Sequence, residues 1–354
     1  MNKLIVLALA VASIFTVQAQ EQDVKAIYEQ GKNLEKVFDK VKATPDAEAA
    51  ESLMKAFELY DQVMQAEANS PKPKYAEKIQ KSLMAHTVNN DFQRAAIALF
   101  NADKKYPAAY DAFMLSGMAT QSSGLLPDTI YAVDFYNAGN CAYGNDFEAA
   151  VVAYDAAIAA NITDPNAYVY AIGARQQLAA ANQDKKDQYN KEISAIAQKG
   201  VEQFGYRQPE LANLQDFLLD SYLQQYFDAQ DFDQALAILE KAEQSDPTND
   251  NIFRLRGLTG YAKGDIKLTQ DNFVKMGDLT DNFEYLYSAA DDINSQGKSV
   301  LGQANASNKQ QVIDIFKNAL KLANKAITVP NANTDRVNYL IEDINYNIEN
   351  ANKL

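Results

Sequence analysis

Three stretches of the chain carry one spacing: an aromatic residue, an alanine three positions on, a large apolar residue at seven, an alanine at ten, then a proline. They are Phe92, Ala95, Leu99, Ala102, Pro107; Phe147, Ala150, Tyr154, Ala157, Pro165; and Phe232, Ala235, Leu239, Ala242, Pro247. An acidic residue leads each one: Asp91, Asp146 and Asp231. Offsets of three, seven and ten fall on one helical face, so each stretch predicts a helix capped by its aspartate and buried along one stripe. The alanines let a neighbouring helix approach closely, and the proline is expected to end the helix. A single helix of this length cannot bury its stripe alone, so recurrence implies a stacked array.

The same offsets recur in weaker form. Leu53, Ala56, Tyr60 and Val63 carry them, as do Ile266, Thr269, Phe273 and Met276, and then Phe316, Ala319, Ala323 and Ala326. Helices preceding the stripes have a mark of their own: Phe113-x3-Gly117, Phe135-x3-Gly139 and Phe253-x3-Gly257. A glycine inside a helix costs about 1 kcal/mol against alanine, so a close-packed partner is the expected reason for each. Glycine is otherwise sparse and the apolar residues follow helical periods, which predicts an all-α chain. The composition around Ser295–Ser307, with Gly297, Gly302 and several Asn and Ser, predicts a long loop. The Ser122–Pro127 stretch predicts a loop where a second helix of a pair is due.

Helix pairs with a period of 34 residues (Asp231 to Asp265), a large residue and Gly in the first helix, an Asp-aromatic turn, Ala and an aromatic in the second, then Asp-Pro, resemble the tetratricopeptide repeat. Phe135 through Asp164-Pro165 and Tyr222 through Asp246-Pro247 match best. The resemblance implies a right-handed α-solenoid of antiparallel helix pairs with irregular repeats. Its clearest repeats lie at about 76–109, 132–165, 216–249 and 250–281, followed by C-terminal helices in 309–350. Where the family usually has its first-helix glycine, the 76–109 repeat has Leu83.

Residues 1–19 read as a secretory signal peptide: Lys3, an apolar run from Leu4 to Val17, then Val17-Gln18-Ala19 before the cut. That run is short for a bilayer, which needs ~20 residues. Residues 20–354 then form the helical repeat domain, expected in a bacterial periplasm or outside the cell. No later segment reads as a membrane span. The formal net charge of −14 disfavours nucleic acid as a partner.

The inventory for catalysis is thin. His86 is the one histidine and Cys141 the one cysteine. Neither has the company that a zinc site or a nucleophilic pair needs, so both read as packed residues. Acidic pairs such as Asp291-Asp292 face different ways on a helix. No cofactor or metal fingerprint is present in the sequence. The chain therefore reads as a non-enzymatic scaffold for a protein or peptide partner. The alternative is a binder of a small ligand or glycan.

The resemblance places first-helix residues on a concave face. Here that implies Tyr136, Asn137, Asn140 and Tyr143, then Tyr170 and Gln177, then Asp220, Gln224 and Phe227, then Arg254. Such a face would stack on rings and hydrogen-bond a peptide backbone. Some family members hold a C-terminal carboxylate with Asn, Lys and Arg. Asn137 and Asn140 match, but Ala167 and Ala171 stand where the basic residues belong.

Overall fold

The computed structural model describes residues 24–354, except 69, 71, 104, 125–127 and 206–211. The signal-peptide reading therefore lies outside the described residues. Sixteen α-helices occur among the described residues, with no strand. The chain divides into two compact units, up to Ile196 and from Ala197, with one helix running across the division.

In the first unit the helices are α1 (Val24–Asp39), α2 (Ala47–Glu67), α3 (Ala76–Val88), α4 (Asp91–Phe100), α5 (Tyr106–Ser123), α6 (Asp128–Ala142), α7 (Phe147–Ala159), α8 (Asn166–Ala181) and the start of α9 (Lys186–Phe204). The second unit continues with α10 (Ala212–Asp228), α11 (Phe232–Ser245), α12 (Asp250–Lys263), α13 (Ile266–Leu279), α14 (Phe283–Leu301), α15 (Lys309–Ala326) and α16 (Thr334–Asn352). Within each unit, consecutive helices pack as pairs joined by short turns, so the chain is an all-helical repeat protein.

The stripes are the core. Ala95 and Leu99, Ala150, Tyr154 and Ala157, and Ala235, Leu239 and Ala242 are all fully buried. So are Leu53, Ala56 and Val63 of α2, Thr269 and Met276 of α13, and Phe316, Ala319, Ala323 and Ala326 of α15. The leading aromatics differ: Phe92 is buried, whereas Phe147 and Phe232 are half-buried.

The glycines work as the spacing predicts, and more widely. A Cβ on Gly117 would lie 2.6 Å from the Phe135 ring, on Gly139 2.4 Å from Tyr154, and on Gly257 2.2 Å from Phe273. Two further pairs do the same, Gly31 with Tyr60 and Gly297 with Phe316. Each aromatic of a second helix thus lies in a notch made by a missing Cβ on the first helix, and the close packing outweighs the propensity cost.

Four expectations are corrected. Pro107 and Pro165 do not end the stripe helices; Pro107 falls in the first turn of α5, and Pro165 immediately precedes α8, at the start of the helix to Ala181 that the sequence also predicts from it. Proline tolerates these places because a helix start has no use for its missing N–H. Helix α4 stops at Phe100, well before Pro107. The expected loop at 295–307 is mostly helix, since α14 continues to Leu301 with Gly297 packed under Phe316. Finally, no second helix is missing after α5. Helix α6 fills that place with Phe135 on Gly117, and also serves as first helix to α7 by giving Gly139 to Tyr154. One helix with two roles shifts the alternation by one.

The caps divide likewise. Asp146, Asp231 and Asp265 each accept a hydrogen bond from the backbone N–H three residues on, as capping aspartates do. Asp91 does not. It is the first residue of α4, preceded by Asn90 at φ 57°, and its carboxylate turns into the core.

Candidate functional site

Residues 136 and 140 of α6 and residue 143 just past its end are one and two turns apart, the Tyr143 N–H still bonded to the Gly139 carbonyl, and they share a face. Tyr154 of the next helix supplies the floor beneath them. Its ring is fully buried against Gly139, and its hydroxyl donates to Asn140 Oδ1 at 2.9 Å. Tyr136 lies 6.0 Å from Tyr154, ring centre to ring centre, and Tyr143 lies 6.3 Å from it. From α8, Tyr170 closes the group at 5.4 Å from Tyr143 and 6.0 Å from Tyr154. Gly173, one turn beyond Tyr170, leaves room for the Tyr143 hydroxyl, which would lie 2.7 Å from a Cβ there.

The outer rings, Tyr143 and Tyr170, are 36% and 37% exposed. Burial, and next the nearby Asp164 charge, push the Tyr136 hydroxyl above its ordinary pKa. The face is a patch of phenol rings with the Asn140 amide among them. Asn137 is half-buried on α6, and Gln177 is exposed two turns after Tyr170. Ala167 and Ala171 are fully buried in α8, so nothing basic faces Asn137 and Asn140 from those positions.

The expected residues of the second unit have other occupations. Arg254 donates to Asn251 Oδ1 at 2.7 Å and to Asp220 Oδ2 at 2.5 Å, with its guanidinium over the Tyr285 ring. Asp220 also accepts from Asn251 Nδ2. Gln224 is exposed and donates to Asp228 one turn on. Phe227 is half-buried with its ring edge-on to Phe232.

Sequence reasoning missed an ionic cluster. His86 is 4% exposed and has carboxylates at both ring nitrogens: Asp91 Oδ2 at 2.8 Å from Nδ1, and Glu35 Oε1 at 3.1 Å from Nε2. Glu35 also accepts from the Tyr60 and Ser82 hydroxyls, each at 2.5 Å, and Asp91 from Arg94. The rings of Phe38, Phe57 and Phe92 surround the imidazole. His86 is thus packed, as expected, but it does not stand alone.

Burial opposes the charge on Glu35, yet the donors, His86 first among them, bring its carboxyl down to about 2. Burial also opposes an imidazolium, but the two carboxylates outweigh it and raise the His86 pKa. Two acceptors on one ring need two N–H donors, which is the imidazolium. The arrangement activates no nucleophile, because the Ser82 hydroxyl bonds Glu35 and both imidazole nitrogens are taken.

A second buried ion, Arg175 of α8, pairs with Asp155 and Glu192. Cys141 is buried on α6, and burial pushes its thiol up to about 12, which leaves it inert. Among the described residues, no group of three or more His, Cys, Asp or Glu is arranged to hold a metal ion.

No protein-family model matches this sequence, and no curated protein matches it. Among solved structures, the chain is similar to one described as a circular tandem repeat protein with novel repeat topology and enhanced subunit contact surfaces. The two are 13% identical, with a TM-score of 0.23, over 93% of this chain and 73% of that one. A score that low leaves the two backbones without a shared global superposition.

Proposed function

We propose that this chain is an exported scaffold of tetratricopeptide-like repeats that binds a protein or peptide partner through the tyrosine face of α6 and α8. On this reading it does no chemistry of its own. The observation that carries the proposal is the pair of half-open rings, Tyr143 and Tyr170, held over a buried third ring, Tyr154, whose hydroxyl is bonded to the Asn140 amide. Aromatic anchors on a rigid floor, with amides beside them, suit a peptide's side chains and backbone.

The test is capture of the partner by crosslinking in the native envelope, followed by titration of variants. Tyr143→Ala and Tyr170→Ala are expected to weaken binding by ~2 kcal/mol or more, with circular dichroism first showing both folded. The charge swap Lys241→Glu, at an exposed residue of α11 in the second unit, should change affinity little and mainly affect association rate. Normal binding by both tyrosine variants, with loss on the charge swap, would refute the proposed face. The clustered rings also favour a second reading, a small ligand or glycan that stacks on them. Thermal stabilisation of the isolated protein by oligosaccharides, with none from partner protein, would select it.

Export rests on the sequence of residues 1–19. Mass spectrometry of the secreted or periplasmic chain should find Gln20 as its first residue. A chain starting at Met1 and held in the membrane fraction would remove this part of the proposal. Among the described residues, no helix is long and apolar enough to cross a membrane.

A further inference from the structure

Helix α3 is anchored unusually. Of its thirteen residues, the buried ones are Ile79, Leu83, His86 and Thr87. Thr87 donates within its own helix, to the Leu83 carbonyl. Met84 and Val88 are 42% and 49% exposed. Neither end of the helix has a side-chain cap. The entry is tied down: the Tyr75 ring stacks on Tyr28 at 4.4 Å, and the backbone N–H groups of Lys74 and Tyr75 donate to Glu67. Further along, the side-chain hydrogen bonds from α3 to other helices are those of Ser82 and His86 to Glu35 of α1 and of His86 to Asp91 of α4. Two aliphatic side chains, Thr87, and the His86 ionic knot inside its shell of three phenylalanine rings hold that part of the helix in place.

We infer that α3 is a pH-sensitive latch, held in unit 1 by the doubly bonded imidazolium of His86 and released when that ring loses its proton. The groups around the ring are these. From α1 comes Glu35, from α2 the Tyr60 hydroxyl on Glu35, from α3 Ser82, and from α4 Asp91 with Arg94 behind it. The Phe38, Phe57 and Phe92 rings complete the shell. With His86 protonated, two cations balance two carboxylates. After deprotonation the ring keeps one N–H for two acceptors, so one carboxylate faces a nitrogen lone pair and the cluster gains a net negative charge. In a shell this buried, that contact turns repulsive. Its sign follows: a ring proton bound more tightly in the folded state favours the latched form at low pH and is lost on going alkaline. Opening α3 would uncover the parts of α2, α4 and α5 against which it packs.

The chain contains one histidine, so its imidazole signals in an NMR titration have one assignment. The expected midpoint lies above the ordinary value of about 6.5. Hydrogen exchange of α3 amides, measured relative to α15 amides to remove the intrinsic pH dependence, should rise at least tenfold through the same midpoint. Glu35→Gln removes one carboxylate, and it should lower the imidazole midpoint and move the α3 opening down in pH with it. Asp91→Asn should do the same through the other nitrogen. An imidazole midpoint at or below 6.5 overturns the latch. So does α3 protection that stays level with α15 across the titration, which would make the cluster a fixed part of the core. If neither variant folds, titration and exchange of the unaltered chain decide between these outcomes.

Discussion

His86→Leu is expected to destabilise unit 1 by about 3–5 kcal/mol near pH 6, because it strips the central cation from a buried ionic cluster. Asp91 is fully buried and would keep only Arg94; Glu35 would keep only the Tyr60 and Ser82 hydroxyls. The deficit should depend on pH. Glu35 is depressed to about 2 in the folded chain, so its contribution is present above its unfolded value of about 4.3 and is lost as pH falls toward 2. The His86 pKa is raised, so its contribution is complete below about 6.5 and is lost as pH rises through the folded value. The cluster therefore contributes most between about pH 4.3 and 6.5. Urea unfolding of both proteins at pH 5.5 and pH 9 checks this. A gap of the same size at both values, or none at pH 5.5, would mean that His86 packs as a neutral ring.

What could be read from the sequence was whatever depends on neighbours along the chain. The stripes of α7 and α11 were legible because offsets of three, seven and ten are properties of one helix. The notches at Gly117, Gly139 and Gly257 were legible because an interior helical glycine needs a reason. Gly297 has the same role, but asparagine and serine around it outweighed it in a local reading, and the contacts that hold that stretch come from distant segments: the Phe316 ring of α15, Thr269 on Gln296 and Asp343 on Asn294 and Lys298. Asp91 shows the opposite failure. Its place at the head of a stripe matches Asp146 and Asp231, yet Asn90 takes a left-handed turn just before it and the carboxylate ends inside the core. The histidine cluster left no local trace, since Glu35 and His86 are 51 residues apart and nothing in either segment names the other. Of the tyrosine face, Tyr136, Asn140 and Tyr143 were named by the family resemblance, which carries first-helix positions over residue by residue. The nearness of Tyr170 depended on two helix crossings and on the space left by Gly173.

The notches carry the second large effect. Phe273 is almost fully buried, and a Cβ on Gly257 would come within 2.2 Å of its ring. Phe273→Ala should cost ~3–5 kcal/mol, the usual range for emptying a buried aromatic site. Gly257→Ala has two opposed consequences. It overpacks the notch, at ~1–3 kcal/mol, and it improves helix propensity by about 1 kcal/mol. With the ring present, the clash wins or nearly cancels the gain. With the ring gone, the clash has no partner and the propensity gain remains. In the Phe273→Ala background, Gly257→Ala should therefore be neutral to stabilising by up to ~1 kcal/mol, and the double-mutant cycle should show coupling of about 0.5–3 kcal/mol. The comparison does not depend on how the rest of the second unit relaxes, because both arms of the cycle share that relaxation. Chemical denaturation of the four proteins supplies the numbers. Additive effects would mean that Gly257 and Phe273 do not share one contact, and the reading of the other four glycine–aromatic pairs would fall with it.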